Sequence, residues 1–323
     1  MGADRRRSDA RPSDEKAGNG GAVPDLVVVG SIGFDSIETP RERREGILGG
    51  SVSYACLAAR FYARTGMVGV VGRDFDERHI RGFRRGGVDV SGLERRPGLT
   101  FRWSGVYETD LNQRSTRSTE LNVFADFDPV LPETYRSAPF LFLANIAPAL
   151  QWRVLRQARS PRLVLVDTMD LWIETARDEL REVIGAAHVL TLNESEARHL
   201  TGRPELPAAA RELCRWGPRW VIVKKGEHGS LLYGPRGFFY MPAFPLEQVA
   251  DPTGAGDAFA GGFMGYLAAR GRVSEADLRR AMGHGAVVAS FAVERFGIER
   301  LQRLRRVEIE RRYDALRRMT QLG

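Results

Sequence analysis

Asp251-Pro252-Thr253-Gly254-Ala255-Gly256-Asp257-Ala258-Phe259 is the stretch that decides how this chain is read. Small and apolar residues follow it to about Ala269 and predict a helix whose first turn is built from the glycines. Gly254 and Gly256 carry no side chain, so their backbone can come close to a phosphate. The unpaired N–H groups of a first helical turn point the same way, and the helix dipole favours negative charge there. Gly254, Ala255, Gly256 and Asp257 therefore predict an anion hole for a phosphoryl group in transfer. A carboxylate inside such a hole is out of place for simple anion binding. Asp257 makes sense as the base that takes the proton of an attacking hydroxyl. The plainer alternative, a capping aspartate behind a glycine turn, accounts for the short motif but not for all nine residues together. Gly261, Gly262 and Gly265 cost the helix ~1 kcal/mol each, and close packing against a neighbour is the expected benefit.

Upstream, short apolar runs alternate with helical patterns. Strands are expected at residues 25–29, 66–71, 140–144, 163–167, 189–192, 220–224 and 230–233. Helices are expected at 51–62, with Ser51 as cap, and at 73–85, ending at Gly86-Gly87. Others are expected near 149–159, 178–185, 194–201 and 208–216. Residues 101–109 differ, because Phe101, Trp103 and Tyr107 alternate with Arg102, Ser104 and Val106. That is a period-two strand, and residues 121–127 read as its antiparallel partner across a polar turn near Asn112. The fold class expected is α/β: a doubly wound, mostly parallel sheet flanked by helices, with a small β-strand lid. One domain covers residues 25–323, with lid strands at about 36–48 and 99–127.

The bulk properties agree with an enzyme of this kind. A chain of 323 residues with 43% hydrophobic and 28% charged residues can build a large core. No run of ~18 apolar residues occurs, so no membrane span is expected. Residues 1–24 are polar, with arginines at 5, 6 and 7 and no apolar stretch behind them, and read as a disordered tail. Cys56 and Cys214 are the only cysteines, which fits a reducing cytoplasm. The net charge of +7 is spread along the chain and interleaved with Glu near the C-terminus, so specific nucleic-acid binding is not expected. Lys16, Lys224 and Lys225 are the only lysines in an arginine-rich chain, which draws attention to the adjacent pair.

Several separated motifs, taken with the glycine segment, resemble the ribokinase-like, or PfkB-type, carbohydrate kinases. Gly30-Ser31-Ile32-Gly33-Phe34-Asp35 resembles that family's substrate entry, and Gly49-Gly50 its second substrate contact. Val71-Gly72-Arg73-Asp74 resembles the strand and loop that follow. Asn193-Glu194-Ser195-Glu196 resembles its Asn-x-x-Glu element, and Lys225-Gly226-Glu227-His228-Gly229 the turn near its ATP site. The resemblance spans about residues 25 to 300. It implies an ATP- and Mg²⁺-dependent kinase acting on an alcohol group of a small sugar or sugar-containing metabolite, with a ribokinase-like fold. It also implies roles. Gly33, Asp35, Gly49 and Gly50 would bind substrate, as a carboxylate can take two sugar hydroxyls. Asn193, Lys225, Gly226, Gly229 and Thr253 would serve the nucleotide. Glu196 would act on Mg²⁺ through water, since Mg²⁺ keeps several waters; the same four residues also read as a capping box. Lys225 could equally end an exposed strand. K⁺ near Asp251, Thr253 and the loop 289–297 is a further family trait, as is a homodimer through the lid.

Two features depart from the family pattern. Tyr54 stands where many relatives have Asn, and Asp167-Thr168-Met169-Asp170 replaces an Asp-x-Asn, so ribose is not carried over as substrate. Tyr54 and Trp103 are placed with the substrate. Phe101, Trp103, Tyr107 and Phe124 either stack on a base or pack the lid. A nucleoside kinase of the same fold is thus the main alternative, and an inactive scaffold another, although Asp257, Gly254 and Gly256 are all kept. A nicotinamide-dependent dehydrogenase would need Gly-x-Gly-x-x-Gly after the first strand, which Gly30-x-x-Gly33 does not supply. No two histidines stand at zinc-ligand spacing.

Overall fold

The computed structural model describes residues 21–112 and 114–321. The tail expected at residues 1–24 lies, for residues 1–20, outside the described residues. The chain opens with β1 (Leu26–Val29), β2 (Gly33–Glu38), β3 (Arg43–Gly49) and α1 (Ser51–Ala59). There follow β4 (Thr65–Val71), α2 (Glu77–Arg85), β5 (Val88–Arg95), β6 (Phe101–Tyr107) and β7 (Arg114–Glu120). The middle alternates: β8 (Phe140–Leu143), α3 (Pro148–Gln157), β9 (Leu163–Asp167), α4 (Asp170–Thr175), α5 (Arg177–Ala186), β10 (Val189–Asn193), α6 (Glu194–Thr201), α7 (Leu206–Arg215) and β11 (Trp220–Lys224). The last strands are β12 (Ser230–Gly234) and β13 (Gly237–Met241), and four helices close the fold: α8 (Ala255–Arg270), α9 (Glu275–Ala292), α10 (Glu299–Arg303) and α11 (Arg306–Met319).

Nine strands form one sheet in the order β13-β12-β11-β10-β9-β8-β1-β4-β5. All pairs from β11 to β5 are parallel; β12 alone runs against the others, pairing antiparallel with β11 and β13. The central strands are apolar runs buried on both faces, as parallel strands covered by helices must be. Successive side chains alternate faces and so feed two cores. Leu26 and Val28 pack with Tyr54, Phe263 and Met264; Val27 and Val29 pack with Leu180, Leu213 and Val154. Each such fully buried side chain contributes roughly 1.5–3 kcal/mol. No helix among the described residues is long and apolar enough to cross a membrane.

The glycines within α8 do what their cost implied. A Cβ on Gly261 would run into the carbonyl oxygen of Ala55, and one on Gly265 would lie 2.8 Å from the backbone of Ala59. Helix α8 thus rests backbone to backbone on α1, which sets where its N-terminus points.

The lid is a four-stranded sheet, β3-β2-β6-β7. Its second hairpin strand is not residues 121–127. The partner of β6 is Arg114–Glu120, a strand exposed along its whole length. Residues 122–124 make a 3-10 turn instead, and Val123, Phe124 and Phe127 sink into the main core. The alternation of apolar residues at 121–127 records a loop pressed onto the core, whereas β7 is a polar edge strand with no apolar face to reveal it. Ser51 is also not the cap of α1. Gly50, at φ 92, holds that position without a side-chain bond. Ser51 bonds Ser31 instead: its hydroxyl accepts from the Ser31 N–H at 3.1 Å, and its own N–H donates to Ser31 Oγ at 3.2 Å. The loop after β1 is thereby locked to the start of α1. Asp74 anchors the lid's root, accepting from the Thr100 N–H (2.7 Å), the Thr100 hydroxyl (2.6 Å) and Arg102 (2.9 Å).

Candidate active site

Gly254 sits at φ 73 as the cap of α8, a left-handed conformation that a side chain resists. A Cβ there would also enter the ring of Tyr54. The turn leaves N–H groups of the first turn of α8 without helical partners, although that of Ala255 is spent on the Pro252 carbonyl at 3.2 Å, and Asp257 stands among them, half-buried. Burial, and then the charge of Asp167, pushes its carboxyl up to about 7 against the pull of Lys224 and Arg114. Lys224 donates to both oxygens of Asp167, at 2.9 and 3.1 Å. A Cβ on Gly256 would lie 3.0 Å from its ammonium, so the cation rests against the backbone of the anion hole. Lys224, and not Lys225, is thus the lysine that faces the glycine turn. Neighbouring residues on a strand face opposite ways, and the pleat of β11 turns Lys224 to the site. The N–H of Lys225 closes the following turn on the Gly229 carbonyl at 2.8 Å.

Asn193 and Glu196 form a full capping box. Glu196 Oε2 accepts the Asn193 N–H at 2.7 Å, and Asn193 Oδ1 accepts the Glu196 N–H at 2.8 Å and the Ser195 hydroxyl at 2.7 Å. Both lone pairs of Asn193 Oδ1 are thus used, and its role is to hold Glu196. One oxygen of Glu196 is left. The residue is 4% exposed; burial pushes its carboxyl up to about 7 against the pull of Lys224, and Asp167 adds repulsion. A buried acid in that state welcomes a cation. Among the described residues no three His, Cys, Asp or Glu side chains are grouped to hold a metal by themselves. The donor set suits Mg²⁺, which takes one or two carboxylates and fills its other positions with water and phosphate.

Asp35 faces the site from the lid and is buried, its Oδ2 packed onto Gly49, where a Cβ would overlap it. Burial and the charges of Asp251 and Asp257 push its carboxyl up to about 7, against the pull of Arg114 and the Gly50 N–H. Gly33 pairs with Gly49 across β2 and β3. Trp103 pairs in register with Asp35, so both side chains share the lid's inner face. Its indole N–H donates to Thr116 at 3.3 Å, and Arg114 lies over the ring at 5.5 Å. The other lid aromatics are not free to stack on a ligand. Phe101 and Phe124 pack against each other at 5.6 Å on the main core, and the Tyr107 hydroxyl pairs with Thr253 Oγ1 at 3.0 Å. Tyr54, placed with the substrate on sequence grounds, is 1% exposed beneath Gly254 and supports the turn instead. Asp251 spends its carboxylate on the N–H groups of Thr253 (2.8 Å) and Gly297 (3.0 Å), which joins the glycine segment to the loop 289–297.

A cleft of about 600 Å³ leads away from Lys224 and Gly256. Gly226 and Gly229 line it, as expected, together with Phe259, Phe244 and the α9 residues Ala286, Ser290 and Val293. The lid turn closes its other side, with Asn112 against Gly226. Arg114 escaped the sequence reading, because an exposed arginine on a polar strand carries no signal. Register pairs it with Tyr107, and its guanidinium bears on Asp35, Glu196 and Asp257. Asp167 had been noticed only as a departure from a pattern.

Residues 24–302 match the model of the pfkB family carbohydrate kinases. A cytidine kinase of Thermococcus kodakarensis is 34% identical over 79% of this chain and 92% of its own length. The nucleoside kinase of Burkholderia thailandensis solved with inosine superposes with a TM-score of 0.72, at 19% identity, covering 90% of this chain and 97% of that one. The ribokinase of Arabidopsis thaliana complexed with ribose and ATP gives 0.70, at 24% identity, over 90% and 99%. This chain belongs to the pfkB family of carbohydrate kinases.

Proposed function

We propose that the chain transfers the γ-phosphoryl group of ATP, with Mg²⁺, to a ribose hydroxyl of a nucleoside. The observation that carries this is the placement of Asp257: a carboxylate of near-neutral affinity for protons, inside an anion hole, between the donor cleft and Asp35. Asp35 and the Gly49-Gly50 backbone orient the acceptor. Asp257 takes the hydroxyl proton as the oxygen attacks the γ-phosphorus and the bond to the β-phosphate oxygen breaks, releasing ADP. The N–H groups of Gly254, Gly256 and Asp257 and the ammonium of Lys224 oppose the charge that develops on the phosphoryl oxygens. Glu196 would hold Mg²⁺ through water, and the ion would neutralise phosphate charge. Arg114 brings a further cation with the lid. The indole of Trp103 beside Asp35 and the similarity to a cytidine kinase favour a nucleoside over a free sugar.

ADP release from ATP and Mg²⁺ over a panel of nucleosides, free sugars and sugar phosphates tests the reading. Turnover with cytidine or another nucleoside, well above that with ribose, is expected. Preference for a free sugar would reject the nucleoside reading and leave the kinase. Deprotonated Asp257 is the active form, so kcat/KM should rise with pH and level off above about 7. Stability should run the other way. Asp35, Glu196 and Asp257 hold protons more tightly folded than unfolded, so the free enzyme loses stability as pH rises from about 4 through 7. A melting temperature that climbs over this range would contradict it.

A further inference from the structure

Helix α11 lies beyond the residues that match the family, yet it reaches the donor cleft. Its Arg312 is mostly buried. The guanidinium stacks on Phe291 at 3.5 Å and lies 4.9 Å from the ring centre of Phe244, which lines the cleft. One nitrogen donates to Glu294 at 2.6 Å, and Arg300 donates to the other Glu294 oxygen at 2.7 Å. These contacts fix the plane of the guanidinium, so the donors on its other terminal nitrogen have a set direction. One of them goes to Ser290 Oγ at 3.0 Å. Ser290 lines the cleft, and its own proton goes to the Val287 carbonyl at 2.7 Å.

A hydroxyl has one proton and two lone pairs. Here the proton is spent on Val287, and one lone pair on a group that can only donate. The oxygen therefore meets a ligand as an acceptor alone. We propose that Ser290 selects the base of the phosphoryl donor, with Arg312 as its positioning residue. The inference rests on the reading of this cleft as the donor site. An acceptor in the wall matches the amino group of adenine, whose exocyclic nitrogen is that base's N–H donor. It opposes the 6-oxo group of hypoxanthine or guanine, which would set two acceptors face to face.

The experiment compares kcat/KM for ATP and for inosine triphosphate with one acceptor, in the wild type, Ser290→Ala and Arg312→Ala. The wild type should prefer ATP by about tenfold or more, the size of one mismatched buried hydrogen bond. Ser290→Ala should collapse that ratio toward one. Arg312→Ala should lower it too, because the hydroxyl is then free to turn its proton to the cleft. A variant that folds poorly loses activity with both nucleotides and keeps the ratio, so the ratio isolates selection. A wild-type ratio near one, or a ratio unchanged in Ser290→Ala, overturns the role of Ser290 and leaves the kinase reading intact. A ratio that collapses in Ser290→Ala but holds in Arg312→Ala overturns the positioning role. If no nucleoside triphosphate serves as donor, the reading of the cleft fails and the inference with it.

Discussion

Asp257→Asn should lower kcat by about 10²- to 10⁴-fold, with ATP binding changed only a few-fold. The amide keeps the shape of the carboxyl and cannot accept the hydroxyl proton. The loss should not come from unfolding. Asp257 is a half-buried acid held near Asp167 and Asp35, and ionising it at pH 8 works against folding. The amide removes that repulsion, so the variant should melt at or above the wild-type temperature at pH 8. Steady-state kinetics, calorimetric ATP titration and a melting curve on one preparation check all three. Near-normal turnover would reject Asp257 as the base.

The two lysines should separate just as sharply. Lys224→Met leaves the Asp167 carboxylate, 4% exposed, without its cation. Removing one partner of a buried pair costs about 3–5 kcal/mol, and Lys224 also lies against the anion hole, so kcat should fall by about 10²-fold. Lys225→Met should change stability and turnover little. Asp167→Asn added to Lys224→Met should restore most of the stability, since no buried charge is then left unpaired, without restoring kcat. Urea denaturation beside kinetics on the four proteins tests this. A Lys225 variant as impaired as the Lys224 one would mean that the donor phosphates are met from the other face of β11.

Much of the site was legible because its function depends on local chemistry. Gly254, Gly256 and Asp257 lie on one turn, so their residue types and spacing by themselves predict the proposed anion hole. Asn193 and Glu196 likewise show their capping box at a spacing of three, and the apolar runs of β1, β8 and β9 state their own burial. Lys224 and Lys225 mark the other extreme. They are the same residue type side by side, and only the pleat of β11 and the position of Asp167 across the sheet choose between them.

The lid shows the same division. Its edge strand β7 is RSTRSTE, with nothing apolar to announce it, while the neighbouring 121–127 looks like a strand and is a core plug. Arg114 becomes part of the site only because hydrogen-bond register sets it beside Tyr107 and over Trp103. The sequence alone determined the α/β class and the parallel core, and it marked the glycine turn and the base proposed for it, since each is encoded within one helix turn or one strand. Tertiary structure alone decided which lysine faces the glycine turn, that Tyr54 lies buried beneath Gly254, and that a C-terminal arginine bonds the cleft's serine. Those outcomes depend on groups far apart in the chain meeting at hydrogen-bond distance, and residue order carries no record of such meetings.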